Sequence, residues 1–347
     1  MSPRKRIFPI FIPHEGCRHS CVFCNQRKIT GLHMKSDEPI EQIREILLSE
    51  GESPQEVEIA FYGGSFTALP VGRQEDLLEA ARPFIISNPR SSIRISTRPD
   101  CIDSATVERL KKHGVRTVEL GAQSMCDDVL NESKRGHLAS DVALAAGVIK
   151  SADLSLILQM MTGLPGDTRE KSIFTAKSFV CLKPDGVRIY PAVIVSGTEL
   201  YDMWLRGEYN EHSTEDAVKL CVELCAIFEE AGIPVIRLGL NPSEALSAGG
   251  AVAGAYHPAF GELVYSSIFY KRAAALLEGI APGSDVTITV SKSKVSMMTG
   301  HRRQNVTKLK KEFALRSIKI IGSDKSQEMT ISKINVVKGS YQEYNIF

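Results

Sequence analysis

Residues 57–66 read Val-Glu-Ile-Ala-Phe-Tyr-Gly-Gly-Ser-Phe. An apolar run followed by a glycine pair is typical of a buried strand that ends in a turn. An amphipathic run over residues 74–85 follows and predicts a helix. The same unit recurs along the chain, with predicted strands at 7–12, 57–62, 93–97, 117–120, 154–161 and 187–190. Six strand–helix alternations with apolar strands predict a parallel sheet.

Loops with distinctive residues follow these strands, always at the carboxyl end. In chain order they carry cysteines, Gly-Gly, Thr-Arg-Pro-Asp, Gln-Ser and Gly-Leu-Pro-Gly. An open doubly wound sheet and a partial barrel both fit the alternation, but barrel enzymes build their sites from this set of loops. We therefore predict an α/β fold with a partial (βα)6 TIM-type barrel over residues 1–240.

The pattern changes after residue 191. Residues 196–206 and 214–230 predict helices, and 235–240 predicts one more strand. A Gly/Ala-rich loop, a helix near 263–278 and three alternating apolar runs follow. We predict a small α+β domain over residues 241–347.

The composition describes a chain that can bury a sizeable core, because 43% of its 347 residues are apolar. The net charge of +1 does not by itself indicate a polyanion as partner. A run of about 18 apolar residues is missing, and so is the apolar region of a signal peptide. We therefore expect a cytoplasmic protein with no membrane partner, whose eight cysteines are reduced thiols or metal ligands.

Three cysteines, Cys17, Cys21 and Cys24, fall within one short segment. Thiolates bind iron–sulfur clusters and zinc, and three of them leave one iron of a four-iron cluster open to a further ligand. Zinc is the alternative, because Cys21 and Cys24 have zinc-knuckle spacing. Its fourth ligand would be His14, His19 or His33. A second ligand pair further along the chain is not visible, which favours the cluster.

The cysteine pattern with Phe23 resembles the signature of the radical S-adenosylmethionine (SAM) superfamily. Gly-Gly-Ser-Phe-Thr at 63–67 resembles the glycine motif of that superfamily. Four further stretches resemble the radical-SAM domain of the Elongator catalytic subunit and its short bacterial relatives. They are Ser-Thr-Arg-Pro-Asp (96–100), Val-Glu-Leu-Gly-Ala-Gln-Ser (118–124), Arg-Gly-His (135–137) and Arg-Ile-Tyr-Pro (188–191). The Gln-Ser and Gly-Leu-Pro-Gly elements also occur in the coproporphyrinogen dehydrogenase group.

The resemblance has two departures. The chain ends before the position of the acetyltransferase domain of the Elongator subunit, and its cysteine spacing is the compact common one. We therefore do not expect the acetyl-CoA-dependent reaction of that subunit.

The resemblance implies a [4Fe–4S] cluster held by Cys17, Cys21 and Cys24, with SAM bound at the open iron. Reductive cleavage of SAM would yield a deoxyadenosyl radical that abstracts hydrogen from a substrate. A one-electron donor of the flavodoxin or ferredoxin type would be a partner.

The resemblance also implies contacts to SAM. The glycine motif would bind the methionine amino group, Arg98 a carboxylate, Gln123 the ribose, and Leu164 the adenine. The full set is Phe23, Gly63, Gly64, Ser65, Thr97, Arg98, Gln123, Leu164 and Tyr190. Ordinary strand-to-helix turns, or core strand residues in the case of Tyr190, would look the same in sequence.

Residues 291–320 hold nine Lys or Arg against one acid, a local balance of +8. This asymmetry suits an RNA backbone, and with the resemblance it predicts tRNA as a partner. A solvated basic face is the alternative.

Several alternatives remain open in the sequence. Cys221 and Cys225 lie one helical turn apart, and we interpret them as core residues. His257 and Glu262 act either on the substrate or in a turn before the next helix. The competing functions are a coproporphyrinogen dehydrogenase-like or other small-molecule radical SAM enzyme, a zinc-stabilised RNA-binding module, and a cluster or haem carrier.

Overall fold

The computed structural model describes residues 6–12, 15–17, 19–25, 38–50, 56–324, 330–334 and 342–345. The chain divides into two compact units, Met1–Ala217 with Glu223–Pro258, and Val218–Val222 with Ala259–Phe347. The first unit extends past residue 240, at which the sequence analysis places the domain boundary. The division into those two domains stays a prediction.

In the described part of the first unit, seven strands form one parallel sheet. In sheet order they are β1 (Arg6–Phe11), β2 (Val57–Tyr62), β3 (Ser92–Thr97), β4 (Val115–Gln123), β5 (Ser155–Thr162), β6 (Gly186–Pro191) and β8 (Val235–Leu238). A short β7 (Val193–Val195) instead pairs antiparallel with β9 (Ala251–Gly254). Strands adjacent in the large sheet follow one another in chain order, which confirms the predicted α/β partial barrel, with β8 as its seventh strand.

Helices connect these strands. They are α1 (Glu38–Glu50), α2 (Val71–Ser87), α3 (Ser104–Lys112), α4 (Asp127–Glu132), α5 (Ala139–Ser151), α6 (Arg169–Leu182), α7 (Glu199–Leu205) and α8 (Thr214–Glu230). Ser213 caps α8, because its side chain accepts from the Asp216 backbone N–H. Asp103 caps α3, because its carboxylate accepts from the Thr106 N–H at 2.7 Å.

A single contact demonstrates that the sheet curls. Arg188 on β6 donates from Nη2 to the Tyr62 hydroxyl on β2 at 3.0 Å. Three strands separate β2 from β6 in the sheet, so a flat sheet would hold them roughly 19 Å apart. The sheet therefore has a concave inner face onto which both side chains project.

The two faces of this sheet differ in chemistry. Side chains that alternate outward toward the helices are apolar and fully buried, as with Ile59, Phe61 and Leu120. The inner face carries charged side chains at the intervening positions, among them Arg94 and Glu119. The apolar core thus lies between sheet and helices, and the inner face is left for polar groups.

The second unit contains a mixed sheet in the order β11–β10–β12–β13. Its elements are α9 (Phe260–Leu277), β10 (Asp285–Ser291), α10 (Val295–Thr299), α11 (Gln304–Glu312), β11 (Ser317–Ser323), β12 (Thr330–Ile334) and β13 (Gln342–Asn345). Leu277, Ile288, Met298 and Leu309 are buried in one cluster between the helices and one sheet face. This confirms the predicted small α+β fold.

Candidate functional site

The cysteine segment directly follows β1, at the carboxyl edge of the half-barrel. Cys17 is exposed, whereas Cys21 and Cys24 are half-buried, and none of the three is in a disulfide. Backbone bonds anchor the segment on both sides: the Val22 N–H donates to the Ser133 carbonyl at 3.3 Å, and Val22 accepts from Leu200 at 2.7 Å. The fold therefore holds the cysteines at the carboxyl edge of the parallel sheet, which we call the rim. The sequence predicts the site at this edge.

The glycine motif after β2 packs directly against the start of the cysteine segment. A Cβ on Gly64 would lie 2.3 Å from the Glu15 carbonyl oxygen, and one on Gly16 would lie 2.3 Å from that of Ser65. The Ser65 N–H donates to the Glu15 carbonyl at 3.0 Å. Only glycine allows this approach of two backbones, so the motif joins two loops of the rim.

Hydroxyl groups join the ends of β2 and β3. The Thr97 hydroxyl lies 3.0 Å from that of Ser65 and 2.6 Å from that of Thr67. Arg98 is only 6% exposed, pairs with Asp100 at 2.9 Å, and donates to the Arg135 carbonyl at 2.5 Å. The structure thus brings Ser65, Thr97 and Arg98 together, with Arg98 engaged by protein partners.

Arg135 connects the cysteine segment to β4. Its Nη1 lies 3.1 Å from the Cys21 sulfur, and its Nη2 donates to the Gly121 carbonyl at 2.6 Å. The buried Nε has no hydrogen-bond partner among the described residues. In the sequence, Arg135 stands out only as part of the Arg-Gly-His stretch, and that motif does not predict a contact with the cysteines.

The other two residues of the Arg-Gly-His stretch also belong to this rim. Gly136 has φ +68°, and a Cβ there would lie 2.5 Å from the His19 ring. The His137 ring is buried, and its Nε2 lies 3.2 Å from the Ala122 carbonyl oxygen. Its Nδ1 has no hydrogen-bond partner in the described structure. The stretch therefore packs under the cysteine segment rather than forming a surface turn.

Burial and the nearby guanidinium groups shift two pKa values. Burial, followed by the charges of Arg135 and Arg98, lowers the pKa of His137 to about 4, so its ring is neutral near pH 7. Cys17 is exposed as a residue, yet partial desolvation of its thiol and the neighbouring Cys21 raise its pKa, while Arg135 and Arg98 lower it. The rim thus sets positive charge beside two thiols.

Gln123 ends β4 in a constrained conformation. It has φ +68° and is 4% exposed. Its side-chain oxygen accepts from Gln159 on β5 at 3.1 Å. A non-glycine residue with positive φ is uncommon and is often found at functional or strained positions, and the role predicted for Gln123 stays a prediction.

Phe23 and Leu164 lie in one small apolar cluster with Val129 and Ala192. The Gly163 turn before Leu164 is fixed by the Tyr209 hydroxyl, which donates to the Gly163 carbonyl at 2.5 Å. The structure therefore joins two predicted contact residues that are distant in sequence.

Tyr190 lies on the inner face and belongs to a charged network. Its hydroxyl accepts from Arg188 Nη1 at 3.2 Å. Glu119 accepts from Arg188 at 2.8 Å and from Arg94 at 2.6 Å, and Arg94 also pairs with Glu58 at 2.8 Å. This network is not predictable from the sequence motifs, although Glu119 and Arg188 occur in two of the stretches quoted above.

The network keeps its arginines charged. Burial opposes the charge of Arg188, but Tyr190 and Glu119 raise its pKa above the usual value. Burial and the charge of Glu119 raise the pKa of Tyr62, so its hydroxyl stays protonated.

The remaining cysteines and the second-unit candidates lie elsewhere. Cys221 and Cys225 are buried on α8, as interpreted from sequence, and burial raises the pKa of Cys225 to about 12. Cys181 is an exposed thiol on α6. Glu262 lies in the first turn of α9, and His257 lies three residues before that helix begins.

The thiols fit a cluster chemically, although they do not converge as a finished ligand set. In the described ranges, no three His, Cys, Asp or Glu side chains are arranged to hold a metal ion. His14 and His33, two of the candidate zinc ligands, lie outside the described residues. The donors that are present are soft thiols beside Arg135, and this set fits an anionic iron–sulfur cluster. Within the described residues, no helix combines the length and apolar character needed to cross a membrane.

Comparison with protein families identifies two matches. The radical SAM superfamily matches residues 11–177, and the radical SAM C-terminal domain matches residues 184–269. Residues after 269 fall outside both matches.

Two curated relatives share about half of the chain. The tRNA uridine(34) acetyltransferase of Methanocaldococcus jannaschii is 29% identical over 54% of this chain and 38% of its own length. Elongator complex protein 3 of Saccharomyces cerevisiae is 30% identical over 55% of this chain and 38% of its own length. The aligned part thus spans about two fifths of these relatives.

Among solved structures, the archaeal Elp3 of Methanocaldococcus infernus, with an N-terminus deletion, has the same fold. It superposes with a TM-score of 0.58 at 22% identity, over 81% of this chain and 70% of that one.

Proposed function

The chain belongs to the radical SAM superfamily of enzymes, and from this premise we propose that it modifies a uridine of tRNA by radical chemistry. The observation that carries the proposal is the joining of the cysteine segment to the β4 rim through Arg135, within a region similar to proteins named for tRNA modification. The basic residues of the second unit support RNA as the substrate class.

We assign cluster binding to Cys17, Cys21 and Cys24. When bound, a [4Fe–4S] cluster supplies the electron that cleaves SAM and so makes hydrogen abstraction possible. Arg135 donates toward the Cys21 sulfur at 3.1 Å, and a hydrogen bond from a cation stabilises a thiolate. A flavodoxin- or ferredoxin-type donor would deliver the electron.

SAM would bind along the rim formed by the loops after β2 to β6. We assign this role to Gly63, Gly64, Ser65, Thr97, Arg98, Gln123, Leu164, Tyr190 and Phe23. Ser65, Thr97 and Gln123 offer polar groups at buried positions, where water is excluded. Phe23 and Leu164 offer an apolar surface on which an adenine ring can pack.

RNA would bind the exposed basic side chains of the second unit. Lys292 pairs with Asp324, and Arg316 pairs with Asp285. Six further cations of residues 291–320 are exposed and have no acidic partner among the described residues: Arg302, Arg303, Lys308, Lys310, Lys311 and Lys319. Unpaired surface cations suit phosphate groups, because binding releases counterions without breaking an existing ion pair.

The cluster assignment is tested by Cys21→Ser against Cys181→Ser. After anaerobic reconstitution, we expect the wild type and Cys181→Ser to bind iron and sulfide and to cleave SAM under a strong reductant. Cys21→Ser should lose both, because a cluster cannot bind stably with two thiolates. Cys181 is the matched control, since it is an exposed thiol on α6. Zinc without iron in the wild type would refute the assignment and favour the RNA-binding module.

The substrate is tested by nucleoside mass spectrometry of bulk tRNA from cells with and without the gene. We expect one modified uridine to be missing without the gene and restored by the wild type but not by Cys21→Ser. An unchanged nucleoside profile would contradict tRNA modification and favour a small-molecule substrate.

The RNA surface is tested by charge reversal of Arg302, Arg303, Lys310 and Lys311. We expect weaker tRNA binding and a shallower salt dependence, with the slope reduced by roughly 0.7 to 0.9 for each lost phosphate contact. Reversal of four exposed cations of the first unit, Arg90, Lys112, Arg116 and Lys177, is the control. Equal losses in both variants would show that binding follows net charge and not this surface.

A further inference from the structure

We propose that the inner face of the half-barrel contains a subsite for an anionic oxygen group of the substrate, with Arg188 and Arg237 as its donors. The proposal deepens the proposed function, on which it rests for the identity of the substrate, and adds that the substrate carries a phosphate or carboxylate where the strands β6 and β8 meet.

Strand register sets these two arginines side by side. Arg188 on β6 and Arg237 on β8 are paired Cα partners in the parallel ladder. Paired residues of neighbouring strands project from the same face, and Arg188 projects onto the inner face because it reaches Tyr62 across the curled sheet. Both guanidinium groups therefore lie on the concave side.

The charges on this part of the inner face do not balance. Glu58 and Glu119 are its carboxylates on β2 and β4, and Arg94 pairs with both. Arg188 shares Glu119 with Arg94. Arg237 donates only to the Gly239 carbonyl, at 3.3 Å, and has no carboxylate partner in the part of the chain that the structure describes. One positive charge is left over at the β6–β8 end.

Hydrogen-bond donors are also left over at the same place. A guanidinium has five N–H groups. Arg188 uses Nη1 and Nη2 toward Tyr190, Tyr62 and Glu119, but its buried Nε has no partner among the described residues. Arg237 donates one of its N–H groups, from Nε, to the Gly239 carbonyl oxygen. Unpaired donors at buried positions are costly, so a protein that keeps them gains by binding an acceptor there.

An anionic oxygen group would neutralise the surplus positive charge and would accept hydrogen bonds from the unpaired N–H groups. Phosphates and carboxylates accept the parallel N–H bonds of arginine and neutralise its charge. The Arg188 side chain is 16% exposed and Arg237 is half-buried, so a bound anion would be screened little by solvent. A nucleotide would present a phosphate here, whereas a small organic acid would present a carboxylate.

The test is calorimetric titration of the full-length protein with uridine 5′-monophosphate, succinate and uridine. We expect one of the two anions to bind and uncharged uridine to bind much more weakly. Arg237→Gln should weaken binding of that anion about tenfold, the usual effect of losing one charged hydrogen bond. Arg237→Lys should weaken it less, because it keeps the charge. Arg206→Gln, at an exposed arginine paired with Glu208, should bind like the wild type.

Each outcome decides a separate question. Preference for the nucleotide supports the subsite with RNA as its source of phosphate, and preference for succinate supports the subsite with a carboxylate substrate. Uridine binding as tightly as its monophosphate, no binding of either anion, or unchanged affinity in a folded Arg237→Gln protein would overturn the proposal. These titrations need neither cluster nor reductant. Their failure would therefore leave the proposed function standing, and an unchanged tRNA profile would leave the subsite standing.

Discussion

Glu119 and Leu120 are neighbours on β4 and lie on opposite faces of the curled sheet. Leu120 is 0% exposed and lies on the apolar outer face. Glu119 is 2% exposed and pairs with Arg94 and Arg188 on the inner face. Burial alone does not distinguish the two positions. Their partners do distinguish them. Leu120 belongs to an apolar core, whereas Glu119 belongs to a buried charged network of a kind that apolar residues of similar size can often replace with no loss of stability. Stability alone does not require these charges, which is the pattern expected if they serve the anion subsite proposed above.

Among the substitutions that test this comparison, Glu119→Ala is expected to have the largest effect on the free energy of unfolding. The change leaves Arg94 and Arg188 with less compensation at a buried position, and we expect a loss of about 3–5 kcal/mol in the free energy of unfolding. Chemical denaturation measures it. Joint replacement of Glu119, Arg94 and Arg188 by leucine or methionine should recover most of that loss. A loss under about 1 kcal/mol for the single variant would mean that the network contributes as little as a surface ion pair.

A slightly smaller loss in the free energy of unfolding is expected for a substitution on the outer face. Leu120→Ala should cost about 3 kcal/mol, from lost apolar transfer and from the cavity that remains. Leu144→Ala, at a leucine that is 69% exposed, is the control and should change the unfolding free energy by less than about 0.5 kcal/mol. Leu120→Ala should leave the affinity for the anion probes unchanged in the folded protein. A weaker affinity would show that the faces are not independent.

A third prediction concerns the pH dependence of the stability of the folded protein. Since burial lowers the pKa of His137 to about 4 in the folded protein, the unfolded chain binds more protons between that value and the ordinary histidine pKa. Stability should therefore fall as the pH falls through this window, by about 2 kcal/mol between pH 7 and pH 5 from this residue. His137→Gln should flatten the profile. An equal pH dependence in the variant and the wild type would contradict the buried, neutral ring.

The smallest effect is expected at a residue that belongs to neither face. Asp103→Ala removes the cap of α3 and should cost about 1 kcal/mol. Asp103→Asn should retain most of this stability, because asparagine is also a good cap. A loss as large as that of Leu120→Ala would show that the rim loop, and not only the helix end, depends on Asp103.

The fold and the rim followed from local signals. The strands repeat with turn residues at their ends, so their order and parallel arrangement could be predicted, and the cysteine motif needs only eight consecutive residues. The inner network could not be predicted, because Glu119 and Arg188 meet only after the curl of the sheet is known. The contact of Arg135 with Cys21 spans 114 residues and has no periodic signature. The cap of α3 could not be assigned from the sequence, because Asp103 and the adjacent Ser104 fit the cap position equally well.

The contact between Tyr62 and Arg188 also has a kinetic consequence. It joins residues 126 positions apart, and it cannot form until the strands between them are paired and curled. Closing so long a loop is entropically unfavourable before those intermediate pairings exist. We therefore expect the contact to form only after the folding transition state. Substitutions at Arg188 should accelerate unfolding while leaving the folding rate nearly unchanged, so the inner face determines how long the half-barrel stays closed once it has formed.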